Sequence, residues 1–298
     1  MDLLSIDSLS DAQIARLLDR AQTFADLADR GEIAPPLLAG RTVLNLFYEN
    51  STRTAMSFAL AAARLGAQPL TLSVEHSSVK KGETLADTAR TLDAMRPDAM
   101  VLRHRDNGAV ATVAGLTACP VINAGDGTNE HPTQALLDAL TLRQQFGTLD
   151  GRVIAICGDI RHSRVARSNA KLLPRLGMEV RLAGPPSLLP EDGAAGDIDT
   201  AIAGADAVMM LRVQRERLDD ELGDAPGEYL SAYGLTPERL ALAARHAVVL
   251  HPGPMNRGTE IADSVADDAV RSLVLRQVGN GVAMRMACLE WLILDDGA

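Results

Sequence analysis

The sequence predicts an α/β protein built from two doubly wound parallel-sheet domains joined by long helices. Three observations carry that expectation. Short apolar runs alternate with helix-length amphipathic segments along the whole chain. The 298 residues, 47% of them hydrophobic, are enough for two cores. A long helical pattern at 133–145 separates two successive strand–helix series.

Taken in order, Leu9 to Leu18 reads as a capped amphipathic helix. Strands are expected at 42–47, 68–72, 99–103 and 121–124, with helices at about 52–65, 84–95 and 110–115 between them. After helix 133–145 come strands at 152–157, 179–183, 207–211 and 247–250. A helix ending near Leu176 follows the first of these, and a Gly/Pro-rich connection precedes the third. A long apolar helix, 272–294, ends the pattern. The expected domains are 1–132 and 133–271, with the segment from about 272 to 298 packing back onto the first. No internal repeat or low-complexity tract is evident by eye. Ligands of such sheets bind beyond the carboxyl ends of strands, here Phe47, Arg103, Ala124, Cys157, Leu211 and Leu250.

A net charge of -10 argues against nucleic-acid and anionic-membrane partners, but not against small anions met by a local arginine cluster. Cys119, Cys157 and Cys288 form no C-x-x-C pair and read as small core residues. There is no signal-peptide h-region and no run of 18 apolar residues, so a soluble cytoplasmic protein is expected. Neither G-x-G-x-x-G nor a P-loop occurs, which sets aside a nucleotide-binding reading.

The most informative stretch is the hydroxyl-rich turn Ser51-Thr52-Arg53-Thr54, between the strand ending at Phe47 and the next helix. Free amides, hydroxyls and the positive helix end converge there, and Arg53 adds a planar fork, together suiting a phosphate-sized anion. A lone S-T-R-T would be an ordinary helix cap beside a solvated arginine. Three further segments change that reading: 77–84 (Ser-Ser-Val-Lys-Lys-Gly-Glu-Thr), 131–138 (His-Pro-Thr-Gln-Ala-Leu-Leu-Asp) and 251–258 (His-Pro-Gly-Pro-Met-Asn-Arg-Gly).

In this order and spacing, from about Leu3 onward, the segments resemble the aspartate/ornithine carbamoyltransferase family. The resemblance implies carbamoyl transfer from carbamoyl phosphate to an amine, an early step of pyrimidine biosynthesis if the amine is aspartate, with no covalent nucleophile, cofactor or metal. It implies that Ser51, Thr52, Arg53, Thr54 and Arg103 hold the phosphate, and that Thr54, Arg53 and His131 face the carbonyl oxygen. Gln134, at i+3 from His131, and the backbone of Gly253 and Pro254 are implied for the carbamoyl NH2. Arg164, Arg212 and Gln214 match aspartate-binding positions. The segment His251-Pro252-Gly253-Pro254 lacks the cysteine of the ornithine enzymes, so aspartate is favoured over ornithine. Ser77 and Lys81 are implied to reach a neighbouring subunit's site in a homotrimer. Glu49, Arg164 and Arg217, or Arg215 in its place, are implied to form an ion-pair network bridging the domains. A regulatory chain or a dihydroorotase partner stays open. Ala55 and Ala59 stand where the family usually carries a basic residue and a glutamate.

Overall fold

A computed structural model describes residues 1–73, 82–190, 196–213 and 227–294. The chain divides into two compact units, Met1–Leu140 with Val278–Ala298, and Thr141–Gln277.

In the first unit, α1 (Asp11–Asp29) starts at a reciprocal cap in which Ser10 and Gln13 satisfy each other's backbone donors. The unit's sheet follows as β1 (Thr42–Phe47), α2 (Thr52–Arg64), β2 (Gln68–Ser73), α3 (Leu85–Asp93), β3 (Ala99–His104), α4 (Ala109–Ala114) and β4 (Val121–Asp126). Strand order is β2-β1-β3-β4, all parallel. Leu44, Leu46, Met100, Leu102, Val110 and Val113 are buried together on it. Such strands read as continuous apolar runs because helices cover the sheet.

Helix α5 (Pro132–Phe146) carries the chain into the second unit. There β5 (Val153–Cys157), α6 (Arg164–Arg175), β6 (Glu179–Ala183), α7 (Ile198–Ile202), β7 (Ala207–Met210), α8 (Glu228–Tyr233), α9 (Pro237–Leu240), β8 (Val248–Leu250) and α10 (Asp263–Ala266) form a sheet ordered β6-β5-β7-β8, again all parallel. The Gly/Pro-rich connection holds a 3-10 turn at Pro186–Leu188 and α7, whose N-cap Asp197 accepts from the Thr200 N–H. Both pieces are too short for an apolar period to show in sequence.

Helix α11 (Val274–Leu294) returns the chain to the first unit from Val278 onward. Its buried face includes Met284, Ala287, Cys288 and Leu289, and Glu290 receives a two-pronged donation from Arg20 of α1 (2.6 and 3.0 Å). Cys157 and Cys288 are buried, and burial pushes both thiols up to about 12. Cys119 differs from the expected core residue: it is half-buried, its thiol also pushed up to about 12 by burial and by Asp93. No described helix is long and apolar enough to cross a membrane.

Candidate active site

In the first unit the expected residues fall along one sheet edge, in strand order. β1 ends at Phe47, and Ser51 is the N-cap of α2. No hydrogen bond from the helix closes back on the Ser51 side chain. Thr52 and Arg53 are exposed in the first turn and Thr54 is buried. An uncapped helix start beside a strand end keeps amide donors available to an anion.

The neighbouring strand β3 pairs Arg103 with Phe47 in register, and the Tyr48 N–H donates to the Arg103 carbonyl (2.9 Å). The Arg103 side chain is mostly buried. It donates to Glu49 (2.9 Å) and to the Ala124 carbonyl (3.3 Å). Glu49 thus meets Arg103 inside this unit; of the residues expected to join it in a network, Arg164 opens a helix of the second unit, and Arg217, with its alternative Arg215, lies outside the described residues. The next residue, His104, stacks at a tilt on Tyr48 with centroids 5.0 Å apart, and burial lowers its imidazole below the usual range.

One strand further, β4 ends at Asp126, a bridge joins Asp126 to Glu130, and His131 follows at the start of α5. His131 is buried and its carbonyl accepts from the Gln134 N–H (3.0 Å). Gln134 donates to the fully buried Asp138 (2.9 Å), which holds its amide in one orientation. Asp138 was not among the residues expected to act here, although the i,i+4 spacing to Gln134 was a readable signal. Behind α2, the buried Arg285 lies 5.0 Å from the Phe58 ring, and burial brings its guanidinium down to about 10.

In the second unit the same order recurs. Arg164 opens α6 after β5, with Ser163 as the N-cap; Ser163 accepts from the Ala166 N–H (3.1 Å). Arg212 is exposed, two residues past the end of β7. The His251–Pro254 segment follows β8 directly, with Gly253 at φ 68 and a cis peptide to Pro254. Asp159, buried after β5, accepts from both the backbone N–H (3.2 Å) and the ring (2.9 Å) of His162. Ser77, Lys81 and Gln214 lie outside the described residues.

An α/β protein that presents arginines at the carboxyl edge of each of two sheets is suited to hold small anions. The matches to known proteins agree with that class. Residues 1–144 match the domain described as aspartate/ornithine carbamoyltransferase, carbamoyl-P binding, and residues 150–292 match the Asp/Orn binding domain of the same family. The chain belongs to the aspartate/ornithine carbamoyltransferase family. It is 54% identical to the aspartate carbamoyltransferase catalytic subunit of Rhizorhabdus wittichii, over 97% of this chain and 94% of that one. Against aspartate transcarbamoylase of Trypanosoma cruzi in complex with N-(phosphonacetyl)-L-aspartic acid the TM-score is 0.87 at 34% identity, covering 97% of this chain and 94% of the other. Ornithine carbamoyltransferase of Pyrococcus furiosus gives 0.88 at 28% identity, covering 99% and 97%. The backbone alone therefore does not separate the two acceptors.

Proposed function

We propose that this protein transfers the carbamoyl group of carbamoyl phosphate to the amino group of L-aspartate, giving N-carbamoyl-L-aspartate and phosphate, an early step of de novo pyrimidine synthesis. The observation that carries the reading is the uncapped start of α2, with Arg53 in its first turn and Arg103 on the adjoining strand. Ser51, Thr52, Arg53, Thr54 and Arg103 hold the phosphate. Arg103 leaves Glu49 for the incoming dianion, a stronger acceptor than one carboxylate.

The aspartate amine, having lost its proton, attacks the carbonyl carbon. The C–N bond forms and the carbonyl oxygen becomes an oxyanion, which Arg53, Thr54 and His131 stabilise. The oxyanion then collapses as the carbon–oxygen bond to phosphate breaks. Phosphate departs with the electron pair and accepts the remaining extra proton of the attacking nitrogen, which leaves a neutral N–H in the product. Gln134 and the carbonyls of Gly253 and Pro254 hold the carbamoyl NH2. The Asp138 contact keeps the Gln134 amide oriented for that task. Arg164, Arg212 and Gln214 take the aspartate carboxylates, and Lys81 with Ser77 serves the site of a neighbouring subunit in a cytoplasmic homotrimer.

Labelled carbamoyl phosphate offered with aspartate or with ornithine tests the reaction. Label should pass to aspartate; equal or preferential transfer to ornithine, or none to either, sinks the reading. The shared site is tested by mixing inactive Arg53→Ala and Lys81→Ala chains. After reassociation about a quarter of wild-type activity should return, since half the sites have an intact body and half of those an intact neighbour. No recovery in proven hybrids would place Lys81 in its own chain's site.

A further inference from the structure

The second unit holds a buried polar network that none of these roles uses. His251 and Glu260 have no exposed side-chain surface. The Gly253 N–H donates to Nδ1 of His251 (2.8 Å), so that nitrogen carries no proton. The ring proton is then on Nε2, which donates to Oε1 of Glu260 (3.2 Å). The same oxygen accepts from the Asn256 N–H, while the Asn256 side chain donates to the Val213 carbonyl (2.9 Å). The backbone N–H of His251 donates to Gln277 (2.9 Å).

We propose that Glu260 is a positioning residue for carbamoyl transfer. It selects the Nε2–H tautomer of His251, whose bare Nδ1 then holds the Gly253 N–H and aims the carbonyls of Gly253 and Pro254. Through Asn256 it also ties that turn to Val213, the residue after Arg212. The inference rests on the functional reading of Gly253, Pro254 and Arg212 given above.

The physical argument is one of donor count. In the other tautomer Nδ1–H would face the Gly253 N–H, donor against donor, and the Nε2 lone pair would face a carboxylate oxygen. With no exposed surface at either side chain, water cannot relieve either clash. A glycine in the left-handed region has more backbone freedom than other residues, so the direction of its carbonyl needs an external anchor. A carboxylate fixing the tautomer of a histidine that in turn orients a working group is a familiar arrangement around metal sites, transferred here to a backbone turn.

Glu260→Leu removes the acceptor and Glu260→Gln retains it. Oε2 of Glu260 has no hydrogen-bond partner among the described residues, so a glutamine NH2 placed there displaces no existing bond. Misplacing a positioned group by about 1 Å costs up to 10²-fold, so Glu260→Leu should lower kcat about 10–100-fold, and Glu260→Gln should stay within about threefold of wild type. Affinity for inorganic phosphate, assigned to the first unit, should be unchanged in both. Wild-type kcat and aspartate KM in the leucine variant overturn the proposal. So does a glutamine variant as slow as the leucine one, or phosphate affinity that falls with the rate. A separate readout is the imidazole ¹⁵N spectrum of the wild-type protein, with the His251 signal assigned by its loss in His251→Gln. Nε2–H is expected, and Nδ1–H overturns the proposal even where the leucine variant does not fold. Absence of transfer to aspartate in the wild type would defeat the functional reading alone, and the tautomer would still decide the network.

Discussion

The two units repeat one pattern with different fittings. Strand orders β2-β1-β3-β4 and β6-β5-β7-β8 match element for element. Arg41 and Arg152, Arg53 and Arg164, and Gly66 and Gly177 are each separated by the same 111 positions. At the amino end of each sheet an aspartate repeats the same double contact. Asp98 takes Arg41 and the Thr42 N–H, both at 2.8 Å, as Asp206 takes Arg152 and the Val153 N–H, both at 2.8 Å. Arg53 and Arg164 thus correspond in the repeat, as the second residue of the helix after β1 and the first residue of the helix after β5. The difference lies in the cap. Ser51 leaves the start of α2 without a side-chain cap, and Ser163 closes the start of α6. An open terminus offers backbone amides to a phosphate, whereas a closed one leaves recognition to guanidinium forks, which suit carboxylates. On the proposed assignment, one scaffold serves two anions by opening or closing a helix cap.

The largest effect should come from the open site. Arg53→Ala should cost about 10²–10³ in kcat/KM, the usual loss for one preorganised oxyanion donor, with the far-UV circular dichroism unchanged. A variant keeping most of its kcat/KM would end the assignment.

Its repeat partner should fail differently. Arg164→Ala and Arg212→Ala should each raise the aspartate KM by about 10–100-fold, since a charge-assisted bond contributes about 1.5–3 kcal/mol. Calorimetry should find carbamoyl phosphate binding little changed. If it collapses in both, the division of labour between the units is wrong.

The shared aspartate anchor concerns stability. Burial works to raise the Asp206 carboxyl, but donation from Val153, His246 and Arg152 outweighs it and holds the group below the usual carboxylate range. A depressed folded-state value means the contribution is present above the unfolded value of about 3.9 and is lost as pH falls through the folded one. Asp206→Asn should therefore be less stable than wild type by about 1–3 kcal/mol near neutrality, the gap closing in acid. Urea titrations at neutral and acidic pH measure it, and a gap independent of pH would refute the linkage.

The smallest effect tests the caps themselves. Ser163→Ala should cost about 1 kcal/mol of stability, as lost N-caps do, and Ser51→Ala no more than about 0.5 kcal/mol. Ser51→Ala should instead weaken inorganic phosphate binding. Equal stability losses by thermal melts would remove the contrast on which the comparison stands.

Much of this was legible in the sequence, because strand and helix periods are local. Apolar runs such as 43–47 and 99–102, and amphipathic stretches such as 52–64, announce themselves within a few residues. The motif residues of the first unit could be placed at strand ends for the same reason. Less visible was the repeat. With little identity beyond scattered positions such as Gly40, Arg41, Arg53 and Gly66, the correspondence appears only once both sheets are ordered. Short α7, α8, α9 and α10 were missed too, each under two turns long.

By itself, then, the sequence determined the fold class, the order of elements and the residues that begin each loop, all set by side-chain period and turn chemistry. Only the tertiary structure decided which partners meet. Glu49 on Arg103, Gln134 on Asp138 and His251 on Glu260 depend on the directions side chains take once strands are in register. So does the difference between Ser51 and Ser163: both are serines before a helix, and only the backbone geometry decides which one turns its hydroxyl onto its own amides.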